Sequence, residues 1–367
     1  MQLGILTTSF KPYEWYSGIS NAVYLMAKQL NEKYDVDVKI FAPEAPSFRK
    51  HKIYKNFTVS RFKTIDLSKL GGYHVSFEAF KMVLKNNLDI IHSFHYGYFP
   101  ATIGFNVSKK KNIPHMFTTA YHPPSNRIKK NLLKLYNISQ GAHIIRNSST
   151  VLPFNKNEKD QLSLISKGNF KIVPCPINHN IYKPRGSKAD KLTVAFVGPM
   201  ELWKGPVVAY KIFRQLESER KDIKFIFVGN GTLKHQVKLY NSLKTKSSKR
   251  FLFTHDLTSK QLADIYNMAD VLIAPTVYES FGCTIAEAMM CGTPVVSTRV
   301  GAVPETVGKG GFLVNYGDWE KMKKYVDLLL DDEKIRKKLS KNAIKQANNY
   351  RYDVVTEKIF RIYKKNI

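Results

Sequence analysis

Short apolar runs alternate with amphipathic stretches along the whole chain. Residues 2–7 are apolar and of strand length. A loop follows over 8–18, and residues 19–31 then set Val23, Met26, Ala27 and Leu30 on one helical face. Residues 36–41 make a second strand, so the chain opens as a Rossmann-like α/β unit does. Further on, 49–62 alternates apolar and basic residues as edge strands do, and 73–85 is an amphipathic helix. Residues 88–92 and 115–119 are short buried strands, with 142–147 and 170–173 as two more. The rhythm restarts at 192–197 and runs through strands at 225–228, 251–254, 271–275, 295–298 and 312–314. Helices lie between them from Pro206 to about 219 and over 262–268. Asp318 and Asp331 or Asp332 are N-caps for two closing helices, and 350–363 is a last helix with aromatic anchors. Residues 178–190 are polar and hold Pro184 and Gly186, which marks a linker. The expectation is an α/β protein of two Rossmann-like domains, 1–184 and 185–349.

The densest chemistry lies in 275–305, PTVYESFGCTIAEAMMCGTPVVSTRVGAVPE. Glu279 and Glu287 stand eight positions apart, on either side of Ser280–Phe281–Gly282. The helix that follows, about 283–290, starts with backbone N–H groups outside its own ladder and a partial positive charge. Gly282 lets a ligand approach those N–H groups, at about Gly282, Cys283 and Thr284. That is an anion site suited to a diphosphate, with one carboxylate for hydroxyls on each side of it. A diphosphate flanked by two polyols is a nucleotide sugar; the other reading of the same spacing is two surface glutamates on an ordinary turn. Lys204, beside Gly205–Pro206 at another helix start, is placed for a phosphate charge or is a plain solvated lysine.

Glu279, seven residues, Glu287, with Ser-Phe-Gly inside and Gly-Thr-Pro-Val-Val after it, resembles the signature of retaining GT-B glycosyltransferases of family 4. Pro304–Glu305 after Val300–Gly301 fits the same pattern. The resemblance implies two Rossmann-like domains facing each other across a cleft, with the last helix, 350–367, crossing back to the N-terminal one. It implies retaining transfer of a hexose from a nucleotide-sugar donor. Glu279 would orient the sugar, Glu287 hold the ribose, and Lys204 with the helix start stabilise the leaving diphosphate. The loop of Gly18 would meet the donor phosphate, and His122, in the loop AYHPPSN, would stand beside donor sugar and acceptor. The catalytic set is thus Glu279, His122 and Lys204, and the donor-binding set Gly18, Lys204, Phe281, Gly282, Cys283, Thr284 and Glu287. Three positions depart from the pattern: Ser17 replaces one of a glycine pair, Pro199 stands where an arginine is usual, and Pro174-Cys-Pro-Ile-Asn replaces Pro-Asn-Gly-Val-Asp. No carboxylate is placed as a covalent nucleophile, which favours front-face displacement.

Composition narrows the picture. The chain has 367 residues, 43% hydrophobic and 24% charged, enough for two cores. No apolar run of membrane-spanning length occurs, and the N-terminus reads as a strand rather than a signal peptide. Cys175, Cys283 and Cys291 have no metal spacing and suit a reducing cytoplasm. The only Asp-x-Asp, Asp35–Val36–Asp37, runs into a strand, so neither a metal nor another cofactor is expected. The formal net charge is +29, and no carboxylate occurs between Asp89 and Glu158. Such a face attracts polyanions. Residues 126–138, NRIKKNLLKLYNI, form a basic amphipathic helix, read as an ordinary surface helix on one face with lipid attraction on the other. The expected partner besides the nucleotide sugar is an anionic membrane surface or a lipid acceptor, with the protein cytoplasmic and peripheral at the inner face. A soluble acceptor is the alternative. A nucleic-acid-binding protein with a vestigial site is another, disfavoured because no nucleic-acid motif is visible.

Overall fold

The computed structural model describes residues 1–10, 18–44, 51–54, 57–65, 75–123, 127–186, 189–230 and 234–367, with backbone alone at 51–54, 127–129 and 230. Ser17, and the parts of the segments read above that fall on 11–17, 49–50, 55–56, 73–74, 124–126 and 187–188, lie outside the described residues. The chain divides into two compact units, Met1–Pro176 with Tyr352–Ile367, and Ile177–Arg351.

The first unit holds a seven-stranded sheet in the order β3-β4-β2-β1-β5-β6-β7. Its strands are β1 Gln2–Leu6, β2 Asp37–Pro43, β3 His51–Tyr54, β4 Phe57–Phe62, β5 Ile90–Phe94, β6 His115–Thr118 and β7 Thr150–Leu152. Only β3 is antiparallel to its neighbour. Leu3, Ile5, Ile90 and Ile91 are completely buried because helices cover both sheet faces, as a parallel sheet requires. The second unit holds a parallel six-stranded sheet, order β10-β9-β8-β11-β12-β13. Here β8 is Leu192–Pro199, β9 Ile223–Asn230, β10 Phe251–Thr254, β11 Val271–Ala274, β12 Val295–Thr298 and β13 Gly311–Val314. Its core joins Phe196, Phe213, Phe225 and Phe227 to Met322 and Leu329.

Three expectations are corrected. Residues 142–147 form the helix Ala142–Asn147, continuous through a π-helical turn, Asn137–Gly141, with the helix Arg127–Tyr136. The pair Ile144–Ile145 was read as strand, but both side chains fill the inner face of that helix. Residues 170–173 contribute one bridge, Phe170 to Val151, and the strand at this edge is the three-residue β7. The linker reading of 178–190 fails in its first half. Asn267 ties that segment to the second unit, donating to the Lys183 carbonyl at 3.1 Å and accepting from the Arg185 N–H at 2.8 Å. The boundary therefore falls after Pro176, where the Ile177 N–H meets the Tyr350 carbonyl at 2.7 Å, and the chain returns at Tyr352.

The returning helix, Tyr352–Lys364, buries Val355, Ile359 and Tyr363 in the first unit's core beside Met26 and Leu30. Its deepest polar contact is with His92 of β5. The Tyr363 hydroxyl lies 2.5 Å from Nδ1, and the Thr118 hydroxyl 2.7 Å from Nε2. Burial, with the neighbouring His115, depresses the His92 pKa to about 3, so the ring is neutral and structural. Tyr363→Phe removes one partner and leaves a buried ring nitrogen unsatisfied. We expect a loss of about 1–3 kcal/mol, read as a lower urea midpoint with an unchanged slope.

Candidate functional site

Ligands of open parallel sheets gather where the strand order reverses, at the carboxyl ends of the strands. In the second unit β8 is flanked by β9 on one side and β11 on the other. The loops that leave β8 and β11 carry Lys204 and Glu279. The two loops are held together by backbone. The Trp203 carbonyl accepts from the Val277 N–H at 2.7 Å and from the Thr276 hydroxyl at 3.1 Å. Gly205 has φ +75°, and a β-carbon there would stand 2.1 Å from the Pro275 carbonyl oxygen. Lys204 thereby reaches Glu279: Nζ lies 2.6 Å from Oε1, in a pair only 16% and 9% exposed. Nζ also sits over the Trp203 ring, 4.3 Å from its centre. The third side of the pair is the turn after β12. Gly301 packs on the Glu279 backbone, and the Ala302 N–H donates to the Glu279 carbonyl at 2.9 Å.

Gly282 caps the helix Cys283–Met290 with φ 88° and ψ 60°, a conformation that favours glycine. The first bond within this helix runs from the Ala286 N–H to the Gly282 carbonyl at 3.0 Å, so the N–H groups of Cys283, Thr284 and Ile285 stand outside the helix's ladder. Cys283 and Thr284 are half-buried at this end. Phe281 is positioned differently from the other motif residues. Its ring is buried edge-on against Tyr350, 5.1 Å between centres, and its carbonyl accepts from the Thr306 hydroxyl at 2.5 Å. The side chain thus anchors the loop in the second unit's core. Glu287 is buried against the helix Ser259–Met268 and accepts from the Tyr266 hydroxyl at 3.2 Å. Burial holds its carboxyl well above the usual carboxylate range. The pair at Lys204 is thus a salt bridge, while Glu287, further along the helix, has a hydroxyl partner and a carboxyl that burial pushes up.

In the first unit the order reverses between β1 and β5, with β2 on the far side of β1. Gly18 is the first residue of the helix Gly18–Tyr34 and half-buried. His122 is exposed, its Nδ1 3.3 Å from the Pro123 carbonyl. Two features here escaped the sequence reading. His95, at φ 74°, places Nδ1 2.9 Å from the Thr8 hydroxyl and so joins the loops after β1 and β5. Burial lowers its pKa to about 4. Glu158, in the first turn of the helix Lys156–Ser163, holds the loop that carries His122. Its carboxyl is buried and accepts from the Thr119 hydroxyl at 2.5 Å, the Tyr121 N–H at 2.6 Å and the Phe154 N–H at 2.7 Å. Ala120, between the first two of these partners, has φ 42°, a conformation this clamp sustains. Glu158 gave no sequence signal, because two of its partners, Thr119 and Tyr121, lie 39 and 37 positions upstream. Among the described residues no cluster of three metal-ligating side chains occurs. Asp35 and Asp37 are exposed at the amino end of β2, the sheet edge opposite these loops.

Comparison with known proteins shows what the chain resembles. A family model described as glycosyl transferases group 1 matches residues 178–346. D-inositol 3-phosphate glycosyltransferase of Corynebacterium diphtheriae is 33% identical over 217 residues, which are 56% of this chain and 50% of that protein. The chain thus spans about half the length of that relative. An uncharacterized glycosyltransferase of Methanocaldococcus jannaschii is 24% identical over 96% of this chain and 95% of its own length. Among solved structures, sucrose-phosphate synthase from Thermosynechococcus elongatus superposes with a TM-score of 0.82 at 18% identity, covering 99% of this chain and 98% of that one. Anabaena HepE in complex with UDP-glucose gives 0.78 at 17% identity over the whole of both chains. At those identities the structural likeness is one of fold, and the fold is GT-B.

The Glu158 clamp makes a signed prediction. Burial raises its pKa from 4.5 to about 7, with the three hydrogen bonds opposing the shift. A raised carboxyl pKa means the folded state keeps its proton longer than the unfolded one. The group's contribution is therefore fullest below about pH 4.5 and lost as pH rises to about 7. In Glu158→Gln the side-chain N–H₂ must face a backbone N–H, and we expect a loss of about 1–3 kcal/mol. The stability gap between wild type and Glu158→Gln should narrow from pH 5 to pH 7 and stay level above it, measured by urea unfolding.

Proposed function

We propose that this chain, which has a GT-B fold and matches the glycosyl transferases group 1 model over residues 178–346, belongs to that family and moves a hexose from a nucleotide-sugar donor to a lipid or membrane-associated glycan with retention at the anomeric carbon. The observation that carries the reading is the Lys204–Glu279 pair at the strand-order reversal, on the same loop as the Gly282-capped helix start. In this reading the diphosphate lies on the N–H groups of Cys283 and Thr284. Lys204 keeps two further N–H bonds for it beyond the one to Glu279. As the bond from the anomeric carbon to the phosphate oxygen breaks, negative charge grows on the leaving diphosphate, where those groups stabilise it. The acceptor oxygen bonds the same face of the anomeric carbon, and its proton passes to the departing phosphate oxygen. Glu279 is held by its pair and by Ala302, and so orients sugar hydroxyls from a fixed backbone. Glu287, whose carboxyl burial pushes up, takes the hydroxyls of the ribose. His122 of the first unit is assigned to the transferred sugar, and Gly18 to the donor phosphate. Pro199 leaves Lys204 as the cation from the β8 loop, so its loss should be felt in full.

The UDP-glucose complex of HepE makes UDP-sugars the first donors to test, against GDP- and ADP-sugars. Thermal shift should show one base raising Tm, by mass action on the folded state. Lys204→Ala should abolish that rise and lower kcat by about 10²–10³-fold. Stabilisation by no nucleotide sugar, or transfer by Lys204→Ala at the wild-type rate, would overturn the assignment.

A further inference from the structure

We propose that the outer face of the helix Arg127–Tyr136 and its π-helical continuation Asn137–Gly141 is the surface by which this protein docks on an anionic lipid bilayer. The inner face is accounted for: Leu133, Gly141, Ile144 and Ile145 are buried, and Leu133, Ile144 and Ile145 share a cluster with Tyr96, Phe105 and Phe117. The outer face sets exposed apolar side chains among the exposed Lys130, Asn131, Lys134, Ser139 and Gln140. Leu132, Leu135 and Ile138 are 38%, 62% and 80% exposed. Among the described residues the other exposed large apolar side chains stand singly along the chain, whereas these three fall within seven positions. Lys130 and Lys134 are exposed on the same helix. The helix carries no carboxylate, and neither does any residue between Asp89 and Glu158. Ser139 does not interrupt the face, because its hydroxyl turns back to the Leu135 carbonyl at 2.7 Å.

The composition of the face selects its partner. A nucleic acid would satisfy the two lysines through phosphates but would give Leu135 and Ile138 nothing to be buried in. A protein partner of ordinary interface size needs a broader apolar centre than three side chains interleaved with lysines. An anionic bilayer accepts both: leucine and isoleucine enter the acyl boundary, and the lysine stems follow them while their ammonium groups stay among the headgroups. The helix lies in the first unit, so the docking is a property of that unit. It rests on the proposed transferase reading only for its purpose, which is to bring the chain to a membrane-borne acceptor.

The test is flotation of the full chain, without donor, on vesicles of phosphatidylcholine alone and of phosphatidylcholine with about one-third phosphatidylglycerol, across a salt series of about 0.05–0.3 M. The wild type should bind the anionic vesicles, lose binding as salt rises and ignore the neutral ones. Replacing Leu132, Leu135 and Ile138 together by Ser should weaken binding by more than about tenfold, and Lys130→Gln with Lys134→Gln by several-fold. Leu164→Ser, 89% exposed elsewhere in the first unit, is the control and should bind as wild type. All these positions are exposed, and circular dichroism and Tm verify that each variant is folded. Equal binding by the triple-serine variant overturns the proposal. So does retention of duplex DNA, but not of anionic vesicles, by the wild type. Either result leaves the donor-binding measurements untouched, because vesicle binding and nucleotide binding are read separately.

Discussion

The second unit's chemistry depends on one close approach. At Gly205 the backbone comes so near the Pro275 carbonyl that no side chain fits. That contact brings the loop after β8 onto the loop after β11, and the Trp203 carbonyl then fastens them through Val277 and Thr276. Lys204 and Glu279, 75 positions apart, are left face to face at 2.6 Å. A little further round, Gly301 permits the same kind of approach to the Glu279 backbone, and Gly282 turns the chain into a helix whose first N–H groups lie outside its own ladder. Three glycines with positive φ thus supply the geometry, and the charged residues occupy it.

Burial divides the two glutamates of the motif. Glu279 has a cation beside it, and Glu287 has the Tyr266 hydroxyl. A charge in the second setting would lose hydration without an opposite charge in return, so burial pushes the Glu287 carboxyl up. The first unit uses burial in a similar way. His92, His95 and His115 are all kept neutral by desolvation, and each ring is fixed by hydroxyl partners. In that unit neutral polar contacts tie β5 to β6 and to the returning helix, and the loop after β1 to the loop after β5.

Much of this was legible in the residues. The period of the apolar runs gave both Rossmann-like sheets, and the Glu279–Glu287 stretch with its glycines marked the helix start. Strand order was not legible, and with it went the pairing of Lys204 with Glu279, since adjacency across a sheet leaves no trace in spacing. Ile144–Ile145 misled because two consecutive apolar residues suit a buried helix as well as a strand. Phe281 looked like part of a binding loop, yet Tyr350, distant in sequence, claims its ring. Glu158 carried no signal because its three partners come from two loops that only the fold brings together.

The central claim is that a nucleotide sugar places its diphosphate on the start of the helix Cys283–Met290. Cys283 reports on it directly. It is the half-buried thiol at that position, while Cys175 and Cys291 are buried and burial pushes the Cys291 thiol up to about 12. The rate of Cys283 alkylation should be measured by peptide mass spectrometry with and without saturating nucleotide sugar. The cognate nucleotide sugar and its nucleoside diphosphate should slow alkylation strongly, whereas the free sugar should not. An alkylation rate at Cys283 unchanged by every nucleotide sugar would contradict it.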